Sequence, residues 1–305
     1  MRVAADFREA RAGSFPFISG DTFRSLADIV IDNEGSIEQF PLPLVMTGLY
    51  GSEKNMLIIF VALSAIERPL SQLHFLDWLT SLSISVKRQH KKNKLKVIFH
   101  NGDKTPDIDF YKQVKVNADE VFSVNVKDDI AGVTPIPIGL ENLHHLNNGL
   151  LKDFMNHRIL MIYEDDKRPR SRPILCSFNI YTNKALREPL MNTIKLSRHE
   201  FCGASMSTPM FRHAVLDSLF VISPPGNGAD CHRTWEAIAL GAVPVVKRGT
   251  LAKSLVNYLP IHEVDNWEEF LALTDSELNN LFYQYKKSPI TRSSMGYWIS
   301  RIFGS

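Results

Sequence analysis

Short β-branched runs alternate with helix-length amphipathic segments along this chain, and that rhythm constrains it more than any other feature. Val45–Thr47, Met56–Leu63, Lys96–His100 and Glu120–Val124 read as strands. Leu70–Ser83 (LSQLHFLDWLTSLS), with leucine or aromatic residues at helical spacing, and Ile108–Val114 read as helices among them. Strand, helix, strand is the order of a parallel sheet with crossover helices. Thr134-Pro135-Ile136-Pro137-Ile138-Gly139 interrupts the order, and its prolines and glycine suit a loop rather than a helix or central strand. The rhythm resumes with a strand at Arg172–Ser177 and a helix over Thr182–Thr193 that Pro189 kinks or ends. A strand at Leu219–Ser223, a helix at Cys231–Leu240 capped by Gly241, and a strand at Val243–Val246 follow. Ile261–Val264 is a last short strand and Trp267–Leu273 a last helix before the C-terminal segment.

The fold class is therefore α/β with parallel sheets. The 305 residues suffice for two domains. Asn147-Asn148-Gly149 and the charged run Glu164–Arg172 mark the boundary, giving 1–150, 151–290 and a C-terminal segment 291–305. Thirty-five basic against 33 acidic residues leave a net charge of +2, which gives no reason to expect nucleic-acid binding. Cys176, Cys202 and Cys231 are too far apart for a zinc or redox motif and read as reduced thiols. The longest apolar run, Met56–Ile66, is too short to span a bilayer as a helix. The first residues carry Asp6 and Glu9 and lack the apolar core of a secretory leader, so a cytoplasmic location is expected.

Phe220–Arg248 (FVISPPGNGADCHRTWEAIALGAVPVVKR) holds the most chemistry. Its order is strand, Gly-rich turn, helix, glycine, strand. A helix N-terminus offers unpaired N–H groups and partial positive charge to a phosphate. Gly226 and Gly228 admit a ligand close to the backbone, and Asp230 is placed to cap the helix. His232 and Arg233 are basic residues in the first turn, where the helix dipole disfavours a cation, which points to an anionic ligand. Glu236 lies on the same face as Arg233. The segment is neither a Walker A loop nor GxGxxG. An ordinary βαβ turn with a surface Arg–Glu pair remains the alternative.

PPGNGADCHRTWEAIALGAVPVV resembles the donor-site signature of the exostosin-type glycosyltransferases, an Arg-x-x-Glu-Ala helix after a Pro-Gly loop leading to a Gly-x-x-Pro-Val-Val strand. Here those positions are Arg233, Glu236, Ala237, Gly241, Pro244, Val245 and Val246. The resemblance implies a GT-B architecture, two facing Rossmann-like domains with the sugar nucleotide held by the second. It implies that Glu236 holds the donor ribose and Arg233 or His232 the diphosphate. Pro225, Gly226, Asn227, Gly228 and Thr234 complete that segment of the donor site. Asn179, Asn183 and Arg187 follow a second strand end, where Arg187 is a candidate fork on the diphosphate. It further implies that the last helix crosses back to the first domain.

The resemblance also implies inverting transfer to an acceptor hydroxyl, which needs a general base. Asp21, His100 and Asp103 are the candidates in the first half, each with capping or packing as the alternative. Arg24 is near enough in sequence to hold Asp21 ionised, and Gly139 and Glu141 are candidate cleft residues. Asp165-Asp166 falls in the linker, and the GT-B resemblance implies that arginines and a helix end balance the diphosphate, so no metal is expected. The expected partners are a UDP-linked sugar and a glycan or lipid-linked glycan acceptor. Lys87–Lys96, with six basic residues, reads first as a solvated helix end before a buried strand; for it, and for the amphipathic Ser294–Phe303, peripheral contact with the inner face of a membrane is the alternative. Two rival readings are a non-catalytic module that binds a nucleotide sugar, and a basic protein that binds membrane or polyanion through Lys87–Lys96.

Overall fold

Runs that are apolar at every position become strands buried on both faces. The computed structural model describes residues 17–33, 56–89, 93–127, 130–142, 154, 169–203, 206–287 and 291–304. The expected strand at Val45–Thr47, most of the expected linker and the centre of the basic run lie outside them. The described chain is α/β with two parallel sheets, divided into two units: residues 20–137, and residues 17–19 with 138–304.

The first unit opens with a short helix, α1 (Gly20–Ser25). Its sheet takes β1 (Ile29–Ile31), β2 (Met56–Ala62), β3 (Lys94–His100), β4 (Glu120–Ser123) and β5 (Val133–Pro135) in sequence order, all parallel. β5 begins where a loop was expected. It is an edge strand, the position in a sheet that tolerates proline. Between β2 and β3, α2 runs Pro69–Gln89, past the expected end, because Val86 continues the buried stripe of Leu79 and Leu82. Lys87 and Arg88 fill its last turn, where cations suit the dipole. α3 (Ile108–Asn117) starts at Asp107, whose carboxylate accepts the N–H of Phe110 at 2.8 Å. Lys96 leaves the basic run altogether. It is buried in β3, with its ammonium 2.6 Å from the Glu120 carboxylate.

The second unit's sheet takes β6 (Arg172–Leu175), β7 (Ser218–Ile222), β8 (Val243–Lys247) and β9 (His262–Val264) in that order, again parallel. α4 (Lys184–Leu196) and α5 (Thr208–Leu216) join β6 to β7, and α6 (His232–Ala239) joins β7 to β8. α7 (Lys253–Val256), α8 (Trp267–Leu271), α9 (Asp275–Lys286) and α10 (Met295–Phe303) complete it. Leu190 and Ile194 of α4 pack with Phe270 of α8 and Phe282 of α9 against Phe220, Ile222 and Val245 of the sheet. α4 continues through Pro189, which lies inside the helix, to Leu196, without the backbone bond that its missing N–H would make. Gly241, at φ +77, ends α6 in the left-handed region as a helix-stopping glycine does. α10 belongs to this unit and buries Met295, Trp298 and Ile302 along one stripe. Among the described residues no helix is long and apolar enough to cross a membrane.

Candidate functional site

β7 is buried at all five positions and delivers Ser223-Pro224-Pro225-Gly226 at its carboxyl end. In parallel sheets that end is where ligands bind. Ser223 donates its N–H to Val245 O at 2.8 Å, and its hydroxyl lies 2.9 Å from that of Thr234. Thr234 is buried, so its hydroxyl ties the first turn of α6 to the strand. Arg187 of α4 closes the other side. It donates from Nε to Pro225 O at 2.8 Å, and from its terminal nitrogens to Asn179 O at 2.7 Å and Pro224 O at 3.2 Å. Asn183 donates to Gly226 O at 2.7 Å, and Asn179 accepts the N–H of Tyr181 at 3.0 Å. The guanidinium expected as a fork on the diphosphate is thus buried and braces two turns. Burial lowers its pKa to about 10, with the charge of Arg233 adding to the effect.

Asp230 does not cap α6. Cys231 occupies the cap position, and no side chain accepts there. Asp230 is buried and accepts the Ile138 N–H at 2.9 Å and the indole N–H of Trp235 at 2.9 and 3.0 Å. Burial raises its pKa to about 6, and these donors hold it back from rising further. His232 Nδ1 lies 2.8 Å from Gly139 O. A carbonyl only accepts, so Nδ1 carries the proton and Nε2 is left to other partners. Gly139 has φ +71, and a Cβ there would stand 2.2 Å from Ile18 O, so only glycine fits. Leu140 donates its N–H to the same Ile18 oxygen at 2.7 Å. Ile138 and Gly139 are therefore clipped to the start of α6, and Leu140 to Ile18.

Glu236 is only 8% exposed, yet its carboxylate has no hydrogen bond or ion pair among the described residues. Burial pushes its pKa up and Glu141 adds to that, while His232, Arg233 and Arg212 oppose it. Arg233 Nε and Glu141 Oε2 are buried without a partner. Arg233 and Glu236 thus make no hydrogen-bonded surface pair, though the charge of Arg233 acts on the Glu236 carboxylate. Arg212 of α5 was missed from sequence. It is buried, with its guanidinium 4.5 Å from the centre of the Phe154 ring. An arginine within the apolar run of α5 was the available signal. Buried carboxylates without donors suit ligand hydroxyls, and Arg233 at a helix start suits an anion.

Two relatives are sugar transferases by name. The chain is 27% identical to ribitol-5-phosphate xylosyltransferase 1 of Homo sapiens over 135 residues, 35% of this chain and 30% of that protein. It is 34% identical to ribitol-5-phosphate xylosyltransferase 1 of Danio rerio over 92 residues, 26% of this chain and 21% of that protein. The match spans less than a third of the length of either curated relative. No family model matches the chain. This partial similarity supports a relation to glycosyltransferases at large rather than to the exostosin type in particular.

Of the remaining site residues, Asn227 is exposed, Pro225 half-buried, and Gly226 and Gly228 buried. The three base candidates lie in the first unit. His100, the last residue of β3, is 1% exposed, packs against Phe23 and Phe60, and holds Nε2 3.3 Å from Pro137 O. Asp103 is exposed on the turn after β3. Asn101 takes φ +52 there, and Gly102 lies so close to Leu63 that a Cβ would stand 2.6 Å from it. Asp21 is half-buried in the first turn of α1. Arg24, expected beside Asp21, makes its ion pair with Asp32, with Nε 3.0 Å from the carboxylate. Asp165 and Asp166 lie outside the described residues. Among the described residues no group of three or more His, Cys, Asp or Glu side chains is placed to hold a metal ion.

Proposed function

We propose that the chain is a glycosyltransferase of GT-B type, exostosin-like, whose second unit holds a nucleotide-diphosphate sugar with UDP as the nucleotide. The observation that carries this is Glu236, buried and unpaired three residues after Arg233, whose Nε is also buried and unpaired. A carboxylate in that state accepts two hydroxyls, and the ribose diol supplies them. Arg233 and the N–H groups at the start of α6 receive the diphosphate. Arg187 and Arg233 feel each other's charge, so an anion beside them relieves a repulsion present in the free protein.

As the glycosidic bond breaks, charge develops on the leaving diphosphate, and fixed donors already aimed there stabilise it without rearranging. Arg187 works through the turn it braces: three carbonyls on one guanidinium hold Pro224, Pro225 and Asn179 in place. Transfer inverts the anomeric carbon and needs no metal. A carboxylate of the first unit, Asp103 ahead of Asp21, takes the proton of the acceptor hydroxyl. His100 fits a packed core histidine better. The relatives' names make a pentose, xylose, the first sugar to try, and a glycan or lipid-linked glycan the acceptor class.

A thermal-shift screen with UDP-, GDP- and CMP-sugars tests the reading. A rise in melting temperature with UDP-sugars supports it, because a ligand that binds only the folded state stabilises by mass action. No rise with any of them removes the donor site, and with it the transferase reading.

A further inference from the structure

We infer that Glu141 is a specificity-determining carboxylate of this site, which accepts hydroxyls of the transferred sugar while Glu236 accepts those of the ribose. The inference rests on the nucleotide-sugar reading. Glu141 Oε2 is buried and has no hydrogen-bond partner. Its charge is one of those that raise the pKa of Glu236, so the two carboxylates share one neighbourhood. Two unpaired carboxylates that feel each other's charge disfavour each other, and Glu141 Oε2 is a buried acceptor without a donor.

Three ligand classes would offset that state, and the surroundings choose among them. An anion is repelled by both carboxylates and belongs with Arg233. A metal ion is opposed by His232, Arg233 and Arg212, which act on the same carboxylate, and no third carboxylate, cysteine or histidine among the described residues completes a cage. A neutral polyol brings several O–H donors without charge. One ribose diol engages one carboxylate, and the second calls for a second set of hydroxyls. In a nucleotide sugar these belong to the sugar.

Glu141 does not need to be recruited by the ligand. Asp230 holds Ile138, His232 holds Gly139, and Ile18 holds Leu140, the three residues before it. A carboxylate on such a brace is preorganised, which lowers the ordering cost of binding.

The test compares UDP with UDP-xylose and UDP-glucose by calorimetric titration of the wild type, Glu141→Gln and Glu236→Gln, with melting temperatures recorded alongside. Glu141→Gln is expected to bind UDP within about twofold of wild type and at least one of the UDP-sugars about tenfold more weakly, the size of one hydrogen bond to a charged group. Glu236→Gln is expected to weaken UDP and UDP-sugar together. Glu141→Asp, which keeps the charge and shortens the arm, is expected to lie between wild type and Glu141→Gln, and it carries the test if the glutamine variant fails to fold. If Glu141→Gln matches wild type for all three ligands, or weakens UDP as much as the sugars, the inference is wrong while the donor reading stands. If wild type binds none of the three, both fall together. UDP-sugar binding that needs Mn²⁺ and loses that need in Glu141→Gln would make Glu141 a metal ligand and overturn the polyol assignment.

Discussion

The carboxylate of Asp230 accepts the main-chain N–H of Ile138 at 2.9 Å, across 92 residues of sequence. This bond, with His232 to Gly139, turns the segment after residue 137 into a wall of the α6 site. Glu141 and Glu236, distant in sequence, become electrostatic neighbours through it.

The pH dependence of that wall has a definite sign. Burial raises the Asp230 pKa from 3.8 to about 6. The folded protein therefore keeps this proton to about pH 6, while the unfolded chain releases it near pH 4. The stability the group contributes is full below pH 4 and is lost as pH rises to 6, about 2–3 kcal/mol in all at 1.36 kcal/mol per unit. Urea unfolding of wild type and Asp230→Asn across pH 4–8 checks this. The difference between them should change from pH 4 to 6 and be flat above pH 7. A flat difference throughout would place the carboxyl pKa in its ordinary range.

Gly139→Ala should destabilise the second unit by several kcal/mol. The left-handed φ alone costs a non-glycine residue about 1–2 kcal/mol, and the added methyl meets Ile18 O at 2.2 Å. Denaturant unfolding should show a loss above about 2 kcal/mol, with weaker donor binding because Glu141 is displaced. A loss within about 0.5 kcal/mol would mean the segment adapts at little cost and does not brace the site.

Much of the second unit was legible in the sequence. The strands at β6, β7 and β8 and the helix α6 fall within one or two residues of where apolar runs and Gly241 place them, because short buried runs bounded by turn residues leave little choice. What the sequence withheld is partnership. Arg187 carries the charge of a phosphate fork, but three carbonyls claim it. Asp230 sits where a cap should be, but Ile138 and Trp235 claim it. Pattern gives the element and the face; a side chain's partner depends on segments far along the chain. β5 and α5 were missed for a related reason, since each is short and interrupted by proline or charge, and only packing makes it regular.

Of the base candidates, Asp103→Asn should lose transfer by about 10²–10⁴ with donor affinity intact, the usual cost of removing a general base. Asp21→Asn is the comparison. Steady-state rates with donor titrations on both variants decide between them. If both transfer at close to wild-type rates, neither is the base, and Glu141 or His100 is tested next.

Transfer should survive EDTA, because Arg233 and the first turn of α6 balance the diphosphate without a cation. Radiolabel transfer from a UDP-sugar with and without chelator measures it. Loss of activity restored by Mn²⁺ or Mg²⁺ would contradict this and turn attention to Asp165 and Asp166.

The central claim is that Glu236 is buried and unpaired in order to take the donor's ribose. Calorimetric titration of a UDP-sugar into wild type and Glu236→Gln, with the melting temperature of each, tests it most directly. Losing a hydrogen bond to a charged group costs about 1.5–3 kcal/mol, so donor affinity should fall roughly 10- to 100-fold. Removing a buried charge that lacks a partner should leave the melting temperature unchanged or higher. Unchanged donor affinity with a collapsed melting temperature would make Glu236 a structural residue and contradict the assignment of this site.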